Sequence, residues 1–469
     1  MTKPLFDAFK GVSAKQWKQQ IQFDLKGLDY NNTLLTTTPE NITIKPFYHS
    51  EDLENRPVLQ PTTPGRTWSI CERIYTANEE KAAKKARHAL EKGAESILFV
   101  LHDKKVKPEV LLSALGETSV PVYLEMHFLS PDFIRELTGF LEGTTFRVYL
   151  LLDPVNDLNA SGNWHYNQKK DMQLLADILA YLQDKEHPGV ANIHSQVSIN
   201  LGRYLNSGAS AIQQLAYALA HANEYLHLLE AHEIKASALQ PLFFCGVGSN
   251  YFFEIAKIRA LRVLWESLAG AYGNTHTPHI LAIPGKRNKT LYDYNVNMLR
   301  TTTEYMSAIL GGADTVCSMP YDSIYHKDNE FGSRIARNQL LVLKKESYFD
   351  VVDNPADGSY YIETLTTEMA EKALEIFKQI EAGGGYLRQL MDHTIQKKIK
   401  ETAREEQEAF DRKERILVGT NKYINPEDRM KQDLELDPFL KKEEKKTLIE
   451  PIIEKRLAES LEKKRLKEE

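Results

Sequence analysis

The feature that most constrains this chain is an alternation of short apolar, strand-like runs with helical patterns, repeated eight times. The runs cover 67–72, 97–101, 120–124, 146–152, 196–200, 242–245, 279–283 and 315–318. The helical patterns cover 78–92, 107–115, 131–142, 171–184, 209–230, 250–268, 293–310 and 329–346. Short apolar runs bounded by turn signals suit strands buried on both faces, as parallel strands between helices are. Eight such units in about 280 residues predict an α/β fold of the closed (β/α)8 TIM-barrel type with right-handed crossovers. A doubly wound open sheet is the alternative.

The clearest unit is 242–268. Leu242 to Cys245 read as a buried strand, Gly246 and Gly248 as turn glycines where a Cβ would clash, and Asn250 as the N-cap of a long helix. The third glycine of a dinucleotide fingerprint is missing, so Gly246 and Gly248 are assigned to turn chemistry rather than phosphate binding.

Four segments follow from the pattern: an arm over 1–60, the barrel over 61–347, associated helices and turns over 348–424, and a charged helical tail over 425–469. In the arm a helix is expected over 14–25 and a hairpin pairing 33–38 with 41–45. Phe6, Phe9, Trp17, Phe23, Phe47 and Tyr48 are costly to leave in water, so the arm is expected to lie on the body or on another chain. Beyond the barrel, helices are expected over 366–381 and 386–413, separated by Gly383, Gly384 and Gly385. The tail is dense in Lys and Glu, with sparse apolar anchors.

A net charge of −6 offers no general attraction to nucleic acid or anionic membrane. No apolar run approaches a membrane span, and the start lacks a secretory pattern, so a cytoplasmic protein is expected. Cys71, Cys245 and Cys317 are too few and too scattered for a disulfide framework or a zinc site, and are expected to be buried thiols.

In a closed barrel function belongs at the C-terminal strand ends. There the chain places Arg73, Glu125 with His127, Asp153, Arg203, and Lys286 with Arg287. Asp153-Pro154 also reads as a turn former, His127 as scaffold, and Lys286 and Arg287 as a common basic loop. Arg73 and Arg203 could pair with Glu72, Asp153 or an anion, but Arg stays protonated and is a poor base. No HExxH, GxSxG or Walker lysine loop occurs.

Spaced blocks carry a family resemblance. RTWSI (66–70), the pattern from Gly208 to Tyr225, the FF…N.FF.EIAK.RA…LW pattern from Phe244 to Trp265, GSRIARNQLLVL (332–343), DGSYYIE (357–363) and VGTNKY (418–423) resemble the methylmalonyl-CoA mutases from about residue 4 to beyond 420. Departures from the catalytic pattern point to the small, non-catalytic subunits. Arg73 falls at the family's active-site tyrosine position, Gly202 and Arg203 at a tyrosine and a histidine, and Tyr292 and Leu340 at two glutamines. The resemblance therefore implies no catalytic, cofactor-binding or metal residues here, only the degenerate positions Arg73, Gly202, Arg203, Tyr292 and Leu340.

Catalytic mutases carry a cobalamin domain with a DxHxxG histidine. That motif does not occur in these residues, and about 46 residues after Tyr423 are too few for the flavodoxin-like domain. The resemblance implies a heterodimer in which the large subunit holds adenosylcobalamin, binds the acyl-CoA and interconverts methylmalonyl-CoA and succinyl-CoA, an isomerase step of propionate metabolism. This chain alone is then an inactive pseudoenzyme. The alternatives are an acyl-CoA-binding barrel with residual or different activity, the small subunit of a related acyl-CoA mutase, and an interaction module for a mutase chaperone. The strands also carry Phe99, Leu101, Tyr123, Phe146, Leu150 and Phe244, from which a filled barrel axis is expected.

Overall fold

Parallel strands that are mostly buried organise the chain, and they close on themselves. In a computed structural model of the protein, residues 8–9, 11–54, 68–116, 119–184, 186–440 and 445–469 are described. Phe6, Arg66 and Thr67 lie outside the described residues. The barrel strands are β1 (Ser69–Tyr75), β2 (Ser96–Leu101), β3 (Pro121–Met126), β4 (Arg147–Leu152), β5 in two pieces (Ile193–Ser195 and Val197–Asn200), β6 (Pro241–Val247), β7 (His279–Pro284) and β8 (Thr315–Cys317). Neighbours in sequence pair in parallel, and β8 returns to β1 with Thr315 opposite Ser69 and Cys317 opposite Cys71. This is the (β/α)8 barrel. The first piece of β5 pairs with β4 and the second with β6. At the break the Gln196 side chain accepts from the Gln240 backbone at 2.9 Å, so a side chain replaces a ladder bond at the seam.

The two faces of the strands feed two cores. Phe99, Leu101, Phe146 and Leu150 pack in the layer between strands and helices. Inside the barrel, Cys71, Leu98, Val100, Tyr123, Tyr149, Leu151, Leu242, Phe244, Leu281 and Cys317 form a separate cluster. The Tyr123 hydroxyl bonds Thr315 Oγ1 at 2.7 Å and His279 Nε2 at 2.9 Å, crossing the axis from β3 to β8 and β7. Its ring stacks on Tyr149 with centroids 4.8 Å apart. The axis is filled here, by Tyr123 and Phe244 among the six residues expected to fill it. All three cysteines are buried and free.

Several local expectations need correction. Gly246 continues β6 instead of turning; Asn250 is the N-cap of the helix Tyr251–Ala271 as expected, though its side chain makes no cap bond. Two short helices, Pro154–Ser161 and Leu201–Asn206, follow β4 and β5, capped by Asp153 and Asn200. They are too short for a periodic signal. The helix expected from 366 already begins in Tyr360–Ala382, because Ile362 and Leu365 are buried on its first turns. The helix expected over 386–413 breaks at His393, whose φ is +60°, into Tyr386–Met391 and Thr394–Asp411.

The tail differs most. Its only helix among the described residues is Glu459–Glu468. Residues 448–457 form a strap whose backbone N–H groups bond outward: Leu448 and Ile449 to the Gly162 carbonyl, Ile452 to Asn159, Lys455 to Asn206 and Leu457 to Arg287. Pro451 and these outward bonds preclude a helix there. In the arm, Ala14–Asp24 begins with a Ser13/Gln16 capping box and buries none of its residues. Trp17 stacks on Phe47 at 4.3 Å, while Phe9 and Phe23 remain 75% and 77% exposed. The hairpin shrinks to Thr36–Thr37 paired with Thr43–Ile44. Among the described residues no helix is long and apolar enough to cross a membrane.

Candidate active site at the barrel mouth

The C-terminal strand ends gather a chain of alternating charge. Arg73, on the last turnward part of β1, places its guanidinium against Glu125 of β3 at 2.6 Å and 3.1 Å. Glu125 faces His127 at 3.5 Å, His127 Nδ1 lies 3.3 Å from Asp157, and Asp157 holds His165 Nε2 at 3.0 Å. His102 stacks on His127 with ring centroids 4.5 Å apart. Burial alone would raise the Glu125 carboxyl, but the Arg73 charge and the His127 contact outweigh it and hold it at about 2. Burial alone would lower the His127 imidazole, but its bonds to Asp157 and Glu125 outweigh that and push it up to about 9. His102 moves the other way, lowered first by burial and then by His127.

At neutral pH the order is therefore cation, anion, cation, anion. A protonated His127 is no base and an ionised Glu125 is no acid, so these residues are spent on one another. Asp157 and His165 carry no warning in the sequence: they sit on the short helix after Asp153 and in the loop that follows it.

The β5–β6 side of the mouth is steric rather than ionic. A Cβ on Gly246 would stand 2.7 Å from the Gly202 Cα and 2.9 Å from Leu205 Cδ2, and one on Gly285 would stand 2.6 Å from the same methyl. Gly202, Gly246 and Gly285 thus let backbones close up around the Leu205 side chain. Beside it Arg203 donates to Asn156 Oδ1 at 2.7 Å and faces Glu454 of the strap at 3.7 Å.

The structure brings Arg73, Gly202 and Arg203 to the mouth and takes two other candidates elsewhere. Tyr292 is buried under the C-terminal helix, its hydroxyl donating to Glu469 at 2.6 Å and its ring covered by Arg465 at 3.8 Å. Leu340 is fully buried in the layer between strands and helices. Asp153 caps its helix through Asn156 N and is held by Tyr225 at 2.6 Å and His221 at 2.9 Å. Arg287 is buried, bonded to Glu406 and to the Lys455 carbonyl.

With this geometry in view, residues 142–468 match the sequence model of the family described as methylmalonyl-CoA mutase. The chain belongs to the methylmalonyl-CoA mutase family. It is 31% identical over 450 residues to the methylmalonyl-CoA mutase small subunit of Porphyromonas gingivalis, covering 90% of this chain and 71% of the relative. The methylmalonyl-CoA mutase of Cereibacter sphaeroides is 28% identical, with 87% of this chain and 64% of that protein aligned. The large subunit from P. gingivalis is 26% identical, with 85% and 62% aligned. The chain is thus similar to both kinds of mutase subunit and shorter than each of these relatives. Within a mutase family the mouth is the region of interest, and here its ionic half is self-neutralised and its steric half is filled by Leu205.

Proposed function

We propose that this chain is the non-catalytic small subunit of an adenosylcobalamin-dependent methylmalonyl-CoA mutase, paired with a large subunit that carries out the interconversion of methylmalonyl-CoA and succinyl-CoA. The observation that carries the reading is the filled barrel: Tyr123 bonds across the axis to His279 and Thr315, where an acyl-CoA would otherwise thread. The charge chain from Arg73 to His165 adds to it, because it ties the Glu125, His127 and Asp157 side chains to one another.

The mouth does not fit a corrin. Leu205 fills the glycine cradle, and the strap is bonded by its backbone across the loops after β4, β5 and β7. We assign the cofactor and the acyl-CoA to the large subunit. The arm is the surface assigned to that partner: an 11-residue helix that buries nothing is marginal by itself, and Phe9 and Phe23 are left in water.

The test is mutase turnover with adenosylcobalamin by this chain alone and after mixing with a large subunit, with complex size followed by light scattering. Activity and a one-to-one complex only on mixing is the expected result. Turnover or tight acyl-CoA binding by the chain alone would make its mouth a working site and overturn the reading.

A further inference from the structure

Outside the barrel, a groove of about 490 Å³ runs between the helices Glu79–Glu91 and Glu330–Lys345 over the outer face of β1. Such a volume lies within the roughly 300–1,000 Å³ of small-molecule sites. One wall carries Lys81, Lys84 and Lys85, the other Asp328 and Arg337, with Glu72 between them.

The charges do not cancel. Lys85 takes Asp328, Arg337 takes Glu72, and the remaining carboxylate, Glu330, faces His88 at 3.6 Å. Among the described residues Lys81 and Lys84 have no acidic partner, and they stand three apart on one helical face. Arg337 is only 3% exposed, yet its Nε–H has no acceptor. A buried donor without a partner is costly, and a guanidinium is the side chain best suited to phosphate oxygens. The first turn of the helix Glu330–Lys345 adds its positive end at the same place.

We propose that this groove binds a small phosphorylated metabolite of nucleotide size, with its phosphate oxygens between Lys81, Lys84 and Arg337. The room beyond one phosphate accommodates the organic part. Such a ligand competes with Glu72 for Arg337, and because Arg73 also lines the groove it reaches the edge of the mouth from outside the barrel.

Isothermal titration of the full chain with inorganic pyrophosphate and with ADP tests this. The expected result is saturable one-to-one binding of at least one probe, weakened tenfold or more by the double substitution Lys81→Glu, Lys84→Glu. Both lysines are exposed, so the double variant should melt at the parent temperature. Tighter binding of ADP than of pyrophosphate would assign the organic moiety to a nucleoside, and the reverse order would assign the site to the phosphates alone. Absence of saturable binding by either probe, or undiminished affinity in the double variant, overturns the proposal.

Discussion

The Arg73 guanidinium meets the Glu125 carboxylate at 2.6 Å, joining β1 to β3 over the intervening β2. A layer inside such a barrel is built from alternate strands, and here one layer is an ion pair instead of an apolar contact. Because both groups are mostly buried, removing one strands the other. Glu125→Ala is expected to cost about 3 kcal/mol in urea unfolding, whereas an apolar pair replacing both residues should recover most of that loss.

The same cluster sets a pH signature. The His127 imidazole has a folded value of about 9, above its ordinary 6.5. Its contribution to stability is therefore complete below about pH 6.5 and lost as the pH rises through 9. Glu125, held at about 2 against an ordinary 4.5, contributes above pH 4.5 and loses that contribution as the pH falls through 2. Urea midpoints measured from pH 6 to 10 should decline for the parent and flatten in His127→Gln.

Gly246 is needed for proximity, not for a turn. Gly246→Ala would drive a methyl against the Gly202 backbone and Leu205, and a loss of about 1–3 kcal/mol is expected from thermal or urea unfolding. Gly270→Ala, on a helix where a Cβ meets nothing, is the control and should not destabilise.

The tail is docked by a buried pair. Arg456 and Glu462, both in the tail, lie 2.6 Å apart, and each also reaches the body: Arg456 donates to the Lys289 carbonyl at 3.0 Å and Glu462 accepts the Leu291 backbone N–H at 2.8 Å. Glu462→Ala should release residues 445–469 to limited proteolysis many times faster than in the parent, since a buried charge left alone costs about 3–5 kcal/mol. Far-ultraviolet circular dichroism of the barrel should be little changed.

Arg203→His exchanges a guanidinium for an imidazole at a mouth that Leu205 still fills. Turnover of the mixed complex should stay within about twofold of the parent, a change of less than 1 kcal/mol in barrier. A large gain or loss would sink the silent-barrel reading.

The barrel was legible in the chain because strands buried on both faces leave apolar runs that need no partner to be seen. What one sequence could not supply was direction and depth. Phe99 and Tyr123 look alike as strand aromatics, yet one faces helices and the other crosses the axis. Among the candidate residues, Arg73 and Arg203 could be placed at the mouth by strand order alone. Their partners, Glu125 and Asn156 with Glu454, could not all be, since the last contact spans some 250 positions. Gly246 shows the opposite error, in which a local turn signal was in fact a requirement for close backbone packing. The strap was hidden for a similar reason: its hydrogen bonds go to distant carbonyls, and Lys/Glu-rich composition reads locally as helix.

The strap also sets an order of events during synthesis. Leu448 bonds to Asn163 across a separation of 285 residues, and Leu457 reaches Arg287. The β4, β5 and β7 loops must therefore leave the ribosome and stand uncovered before the segment that seals them has been made. Closing contacts so distant carry a large loop-closure cost and fall late. A nascent chain stalled before residue 445 would present an open mouth, with the Gly162, Asn159, Asn206 and Arg287 carbonyls in water.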